Sequence, residues 1–232
     1  MNGKWLLLPM AIFFLSGCSF QQAGPEQHDS QTVDRDNSES VKVNLDLGAG
    51  ELRVAGGTDK LAAADFRYGA SASKPEVHYS SAAGHGSLAI KQPGSSSTLN
   101  DSKKAWDLRL NQEVPLEVEI HLGAGEAHLN LGSLSLRRVD VEMGAGQLDL
   151  DLRGTPTKSY DARVQGGAGE ATIHLPSAVG VDAQVTGGIG EISASGFRKD
   201  GSRYMNDSLG KSPVTIHLNV EGGVGEIKLI SN

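Results

Sequence analysis

Only one cysteine, Cys18, occurs in the 232 residues. No disulfide can form within the chain, so its fold must be held by packing alone. Aromatic residues make up 5% of the sequence, too few to build an aromatic binding platform. Positive charge is short as well: 21 Lys and Arg against 28 Asp and Glu leave a net charge of −7. That balance argues against nucleic acid as a partner, because phosphate binding needs a basic face. The longest apolar run, residues 5–15, falls short of the ~20 residues that span a bilayer. No two of the seven histidines show zinc-ligand spacing such as His-x-x-x-His, so neither zinc nor another metal centre is expected from spacing. No Gly-x-Ser-x-Gly signature offers a seryl nucleophile.

What is present begins at the N-terminus. Lys4 precedes the apolar run, the pattern of a signal peptide with a charged start and a short hydrophobic stretch. The run ends in Leu15-Ser16-Gly17-Cys18, which resembles the lipobox of bacterial lipoproteins. That resemblance implies that residues 1–17 are removed and that Cys18 becomes the lipidated N-terminus, with a diacylglycerol on its thiol and a further acyl chain, such as palmitate, on its amine. Two or three chains give stable membrane anchoring where one does not. The expected location is the extracytoplasmic side, at the outer membrane and periplasm or the cell surface. Residues 18–39 hold almost nothing apolar beyond the lipidated cysteine and read as a disordered tether.

Glycine is abundant, 30 of 232 residues, roughly twice the usual ~7%. Twelve of these glycines recur in one motif. The first copy is Leu45-Asp-Leu-Gly48-Ala49-Gly50-Glu51. Five more place Gly-x-Gly-Glu/Gln at Gly123, Gly125, Glu126; Gly144, Gly146, Gln147; Gly167, Gly169, Glu170; Gly188, Gly190, Glu191; and Gly223, Gly225, Glu226. The first glycines are separated by 75, 21, 23, 21 and 35 residues, so a period of about 21 carries two long insertions. A fixed period of this length points to stacked units. Within each copy the alternation of a strand breaks at Gly-x-Gly, which marks a bulge or corner with torsions that suit glycine. The residue between the glycines (Ala49, Ala124, Ala145, Ala168, Ile189, Val224) is expected to face inward at the bend.

A coil of about 21 residues at ~3.3 Å each traces roughly 70 Å, the perimeter of a flattened β-helix turn. The expected fold is therefore all-β: a single-stranded parallel β-helix-like solenoid, each corner over the preceding one. The alternative is a β-sandwich of hairpins turning at Gly-x-Gly. Residues 56–118 interrupt the rhythm with strand-like pieces near 64–68, 75–79, 87–92 and 106–111 and a Gly-Ser-rich loop at 93–102. Residues 197–212 form a polar insertion with the densest basic patch, Arg198, Lys199, Arg203 and Lys211 beside Tyr204.

The repeated Gly-Ala-Gly-Glu within alternating strands is similar to the bacterial toast-rack family and to related adhesin-type β-helix domains. Residues 40–152 resemble the N-terminal toast-rack region, and 153–232 continue the same β-helix repeats. The resemblance implies an envelope protein and brings no catalytic motif with it.

The acids after each corner, Glu51, Glu126, Glu170, Glu191 and Glu226, with Gln147 among them, would form a ladder about 5 Å apart in a parallel stack. Mutual repulsion could recruit calcium, a hard ion that takes several oxygens, but the motif matches calcium-binding repeat rolls poorly. The structural reading, acids that keep the solenoid soluble, is favoured. His121 and His128 flank one motif, and His174 and His217 fall at outward strand positions. Asp149 and Asp151 alternate with leucines as a solvated face rather than a glycosidase pair. Gly166-Gly-Ala-Gly-Glu170 lacks the helix and lysine of a phosphate loop. The sequence thus predicts a non-catalytic, lipid-anchored scaffold, adhesin-like or sensing module without a cofactor, which contacts protein or glycan in the envelope. A polysaccharide-active β-helix enzyme and a calcium-stabilised structural domain are the alternatives.

Overall fold

The computed structural model describes residues 26–69, 73–93 and 104–232. Within them the chain is all-β, with β1 (Gln27–Val33), β2 (Ser40–Gly56), β3 (Ala62–Tyr68), β4 (Glu76–Ala82), β5 (His85–Lys91), β6 (Ala105–Leu110), β7 (Leu116–Asn130), β8 (Leu136–Asp151), β9 (Tyr160–Leu175), β10 (Gly180–Ser195), β11 (Arg198–Asp200), β12 (Arg203–Met205) and β13 (Thr215–Ser231). All belong to one mixed sheet, in which β1-β3-β6-β2-β7-β8-β9-β13-β10-β12-β11 lie side by side. The long strands β2, β7, β8, β9, β13 and β10 pair parallel rather than as hairpins.

Their register is set by the repeat. Ala49 pairs with Ala124, Ala124 with Ala145, Ala145 with Ala168, Ala168 with Val224, and Val224 with Ile189, so the Gly-x-Gly corners stack in one column. The second glycine of each motif has φ between 130° and 146°, closed to other residues. From the second copy on, the first is required by proximity: a Cβ on Gly144 would lie 2.3 Å from the carbonyl oxygen of Gly123, whereas at Gly48 it would meet nothing within 4 Å. Each strand thus divides into a first and a second arm. Val43, Leu45 and Leu47 of one arm and Leu52 and Val54 of the other are buried together. Residues 131–135 join β7 to β8 in at most ~18 Å of chain, so the second arm of β7 must turn back towards the start of the first. The two arms bury their apolar side chains in a common interior.

Three expectations are corrected, and the described part of residues 56–118, whose place the repeat left open, is located. The strands do not stack in chain order, because β13 lies between β9 and β10. The insertion explains why: β12 pairs antiparallel with Asp182–Gln184 on the outer edge of β10, leaving β13 only the inner edge. At the other end β5 and β6 form a rung in two pieces, β5 along the first arm of β2 and β6 along the second, so part of 56–118 stacks on the repeats. The residue between the glycines faces solvent, not the core: Ile189 is 75% and Val224 55% exposed. At so sharp a corner the last inward residue of one arm and the first of the next are five apart (Leu47 and Leu52), and everything between lies on the outside. Finally, the segment expected to be a disordered tether contains β1, paired antiparallel with β3. Its side chains bury little, so the backbone ladder supplies what composition could not reveal. Residues 18–25 lie outside the described residues.

Two buried asparagines fasten connecting segments to the stack. Asn111 Nδ2 donates to the Lys60 carbonyl at 3.0 Å, and its Oδ1 accepts from the Glu113 and Val114 amides. Asn206 Oδ1 accepts from the Val181 amide at 2.9 Å, and its Nδ2 donates to the Val179 carbonyl at 2.7 Å. Phe66 of β3 and Trp106 of β6, opposite one another in the sheet, pack edge to face with centroids 5.4 Å apart.

Candidate functional site

Cys18 and its neighbours Leu15, Ser16 and Gly17 lie outside the described residues. The acids of the repeat are brought together in the order Glu51, Glu126, Gln147, Glu170, Glu226, Glu191, each opposite the next across adjacent strands. Strand side chains alternate, so the residue two positions on shares the same face. That second column reads Arg53, His128, Asp149, Thr172, Lys228, Ser193. It offsets the first. Arg53 pairs with Glu51, Lys228 with Glu226 at 2.8 Å, and His128 approaches Glu126 at 3.8 Å. Gln147 falls where the next residue in the second column is Asp149, so an acid at 147 would have stood among three others. Most of the ladder is a compensated, solvated edge. At β2 and β7, however, Glu51, Glu126 and His128 present donor atoms that all lie within 4.8 Å of one another.

The corner has an inner column too: Leu47, Leu122, Met143, Gly166, Gly222, Gly187. The first three are large and buried. In the last three strands of the stack the side chain is missing. Opposite them stand Ala171, Ile227 and Ile192, and the two isoleucines fold across Gly222 and Gly187. At β9 both partners are small, and a Cβ on Gly166 would meet nothing within 4 Å. The result is an apolar slot of about 90 Å³ bordered by Met143, Leu148, Val164, Val220, Ile192 and Ile227. Beside it project Ile189 and Val224, the exposed large hydrophobic residues among the described residues. The sequence shows these glycines beside the corner motif. Only the in-register comparison with Leu47, Leu122 and Met143 reveals a deleted column.

The basic insertion is mainly structural. Arg203 grips Asp182 through two bonds of 2.6 and 2.8 Å, and this pairing holds the Asp182 carboxyl below its ordinary range. Lys199 lies over the Tyr204 ring at 5.3 Å, and Tyr204 itself is buried. β12 covers only the first arm of β10. Among the described residues nothing pairs with the outer edge of the second arm, next to the slot.

A charged cluster around one histidine sits on the outer face of the first arms. His121 lies 3.1 Å from both Glu119 and Glu142, and Glu119 also pairs with Lys42. Partial burial pulls the His121 imidazole down, but its bonds to the two carboxylates outweigh this and raise it above its ordinary 6.5. His174 Nε2 stands 3.6 Å from Asp149. Asp149 and Asp151 stay apart in role, Asp151 being held by Arg153 at 2.6 Å.

A family model described as the N-terminal domain of toast_rack, DUF2154, matches residues 22–174. A solved structure of a proposed cell adhesion protein from Clostridium sporogenes is similar over 90% of this chain and 100% of its own, with 34% identity and a TM-score of 0.87. At 90% coverage that likeness extends past residue 174. A proposed adhesin from Bacteroides fragilis aligns over 88% of this chain and 97% of its own, but 12% identity and a TM-score of 0.34 leave it without weight. No curated protein sequence matches the chain.

Proposed function

Since this chain belongs to the toast-rack family, we propose that it is a lipid-anchored envelope protein whose β domain is a non-catalytic, adhesin-like scaffold that contacts a protein partner. In this reading Cys18 holds the chain at the extracytoplasmic face of a membrane, and the coils of β7, β8 and β9 are turns of a parallel β-helix with permuted ends. The observation that carries the binding role is the corner of β9, β13 and β10. There an apolar slot opens beside Ile189 and Val224, 75% and 55% exposed, the exposed large hydrophobic residues among the described residues. Exposed apolar patches of this kind mark contact sites. The solved relative named for cell adhesion supports a binding role over an enzymatic one.

Two measurements test the reading. Labelling cells with a radioactive fatty acid should mark the wild-type chain and not Cys18→Ala; an unlabelled wild type removes the anchor. A photo-crosslinker at position 189 in the anchored chain should capture one protein, and Val224→Asp should abolish the capture. Equal capture by Val224→Asp removes the corner from the proposal.

A further inference from the structure

We propose that Glu51, Glu126 and His128 form a binding site for a divalent transition-metal ion of the zinc type. The three come from two neighbouring strands: Glu51 of β2 lies opposite Glu126 of β7, and His128 is two residues further along β7 on the same face. The backbone register therefore places them, not a mobile loop. His128 Nε2 is 3.8 Å from Glu126 Oε2 and 4.0 Å from Glu51 Oε1. Both gaps are too long for hydrogen bonds. Ligands that each sit about 2.0–2.2 Å from one tetrahedral ion are separated by roughly 3.4 Å, so small side-chain movements bring the three donors onto one centre.

The donor set selects the ion. Calcium and magnesium take oxygen ligands, whereas an imidazole nitrogen with two carboxylates suits zinc and its neighbours. The same face at the other strands supplies Asp149, Thr172, Lys228 or Ser193 where β7 has His128, so the mixed donor set occurs once in the column. Two features shape the affinity. Arg53 pairs with Glu51 and competes for its carboxylate. The adjoining depression is lined by Glu26, Arg67 and Lys104, leaving the ion's open position towards solvent and mixed charge.

Isothermal titration of the full-length chain in detergent, freed of metal by chelation, with zinc chloride tests the site. One saturable equivalent is expected, weakened about tenfold or more by His128→Gln and by Glu126→Gln, as for removal of a group that holds a metal. Arg53→Gln should instead tighten binding about two- to fivefold, since it removes an exposed competitor of ordinary surface strength. A purely structural role for the ladder would not produce that opposite sign. Circular dichroism of each variant establishes that the fold is retained. Nuclear magnetic resonance should show zinc shifting the His128 ring signals before those of the other histidines. Absence of saturable binding, binding untouched by His128→Gln, or displacement of zinc by an equal concentration of calcium would each overturn the proposal.

Discussion

Replacing Gly166 with leucine stabilises the protein, whereas alanine at the adjacent Gly167 destabilises it. Gly166 occupies the inner-column position that is Leu47, Leu122 or Met143 in the preceding strands, and its backbone φ is not of the positive kind that disfavours side chains. A Cβ there meets nothing within 4 Å, and the slot of about 90 Å³ lies beyond it. Full burial of a leucine contributes 1.5–3 kcal/mol, and a slot open on one side realises about half to two-thirds of that. Replacing glycine also adds ~0.4–1 kcal/mol by restricting the unfolded chain, while ordering the leucine side chain costs ~0.5–1 kcal/mol. The net is about 1–2 kcal/mol, or roughly 2–8 °C in Tm for a chain of this size. At Gly167 the added carbon would lie 2.3 Å from the Gly144 carbonyl oxygen and 3.3 Å from its carbon, and both belong to backbone. Relief requires neighbouring rungs to separate, at a cost of about 1–3 kcal/mol or more. Thermal melting followed by circular dichroism reads both changes. A lower Tm for Gly166→Leu would refute the claim that the slot is a deleted core position. Because the variant keeps the fold and fills the slot, it should also lose the crosslinked partner.

Two further perturbations probe separate parts of the stack. Asn206→Ala removes the acceptor for the Val181 amide and the donor to the Val179 carbonyl inside a buried environment, so denaturant unfolding should show a loss of about 2–4 kcal/mol; a change under 1 kcal/mol would mean that water replaces the side chain. His121 has a raised pKa in the folded chain, so its protonated form contributes stability that is complete below the unfolded value near 6.5 and fades as pH climbs through the folded pKa. A resonance titration of His121 should give a value above 6.5 that falls on Glu142→Gln; a native value at or below 6.5 refutes the assignment.

The corners were legible in the sequence because glycine is demanded there twice over, by torsion at Gly125 and by contact at Gly123. The strand pieces of 56–118 were legible from alternation, and β3, β5 and β6 fall close to where it placed them. Stacking order was not. β10 and β13 bear the same motif, and only the pairing of Arg203–Met205 with the edge of β10 decides which lies outside. The outward turn of Ala49 and its equivalents escaped because alternation cannot be counted across a corner. β1 escaped because an edge strand such as Gln27–Val33 draws on backbone bonds, and composition sees only side chains. The meeting of Glu51 with His128 needed the register of strands that begin about 75 residues apart in the chain.

The two ends of the stack differ in how they are closed. A stacked β architecture must cover its terminal edges, since open edges invite further pairing. At one end β5, β6, β4, β3 and β1 cover both arms of β2 and finish in polar strands. At the other, β12 covers only the first arm of β10. The uncovered second arm is the one beside Ile189 and the slot. Three glycines in the inner column and two aliphatic side chains in water all work against stability, and neither torsion nor contact demands them at Gly166. Departures from the local rules of a fold concentrate where something other than stability is served. Here an incomplete cap, a deleted column and exposed aliphatic side chains coincide at one corner. Stability alone would have filled the column with leucine, as it is at Leu47 and Leu122.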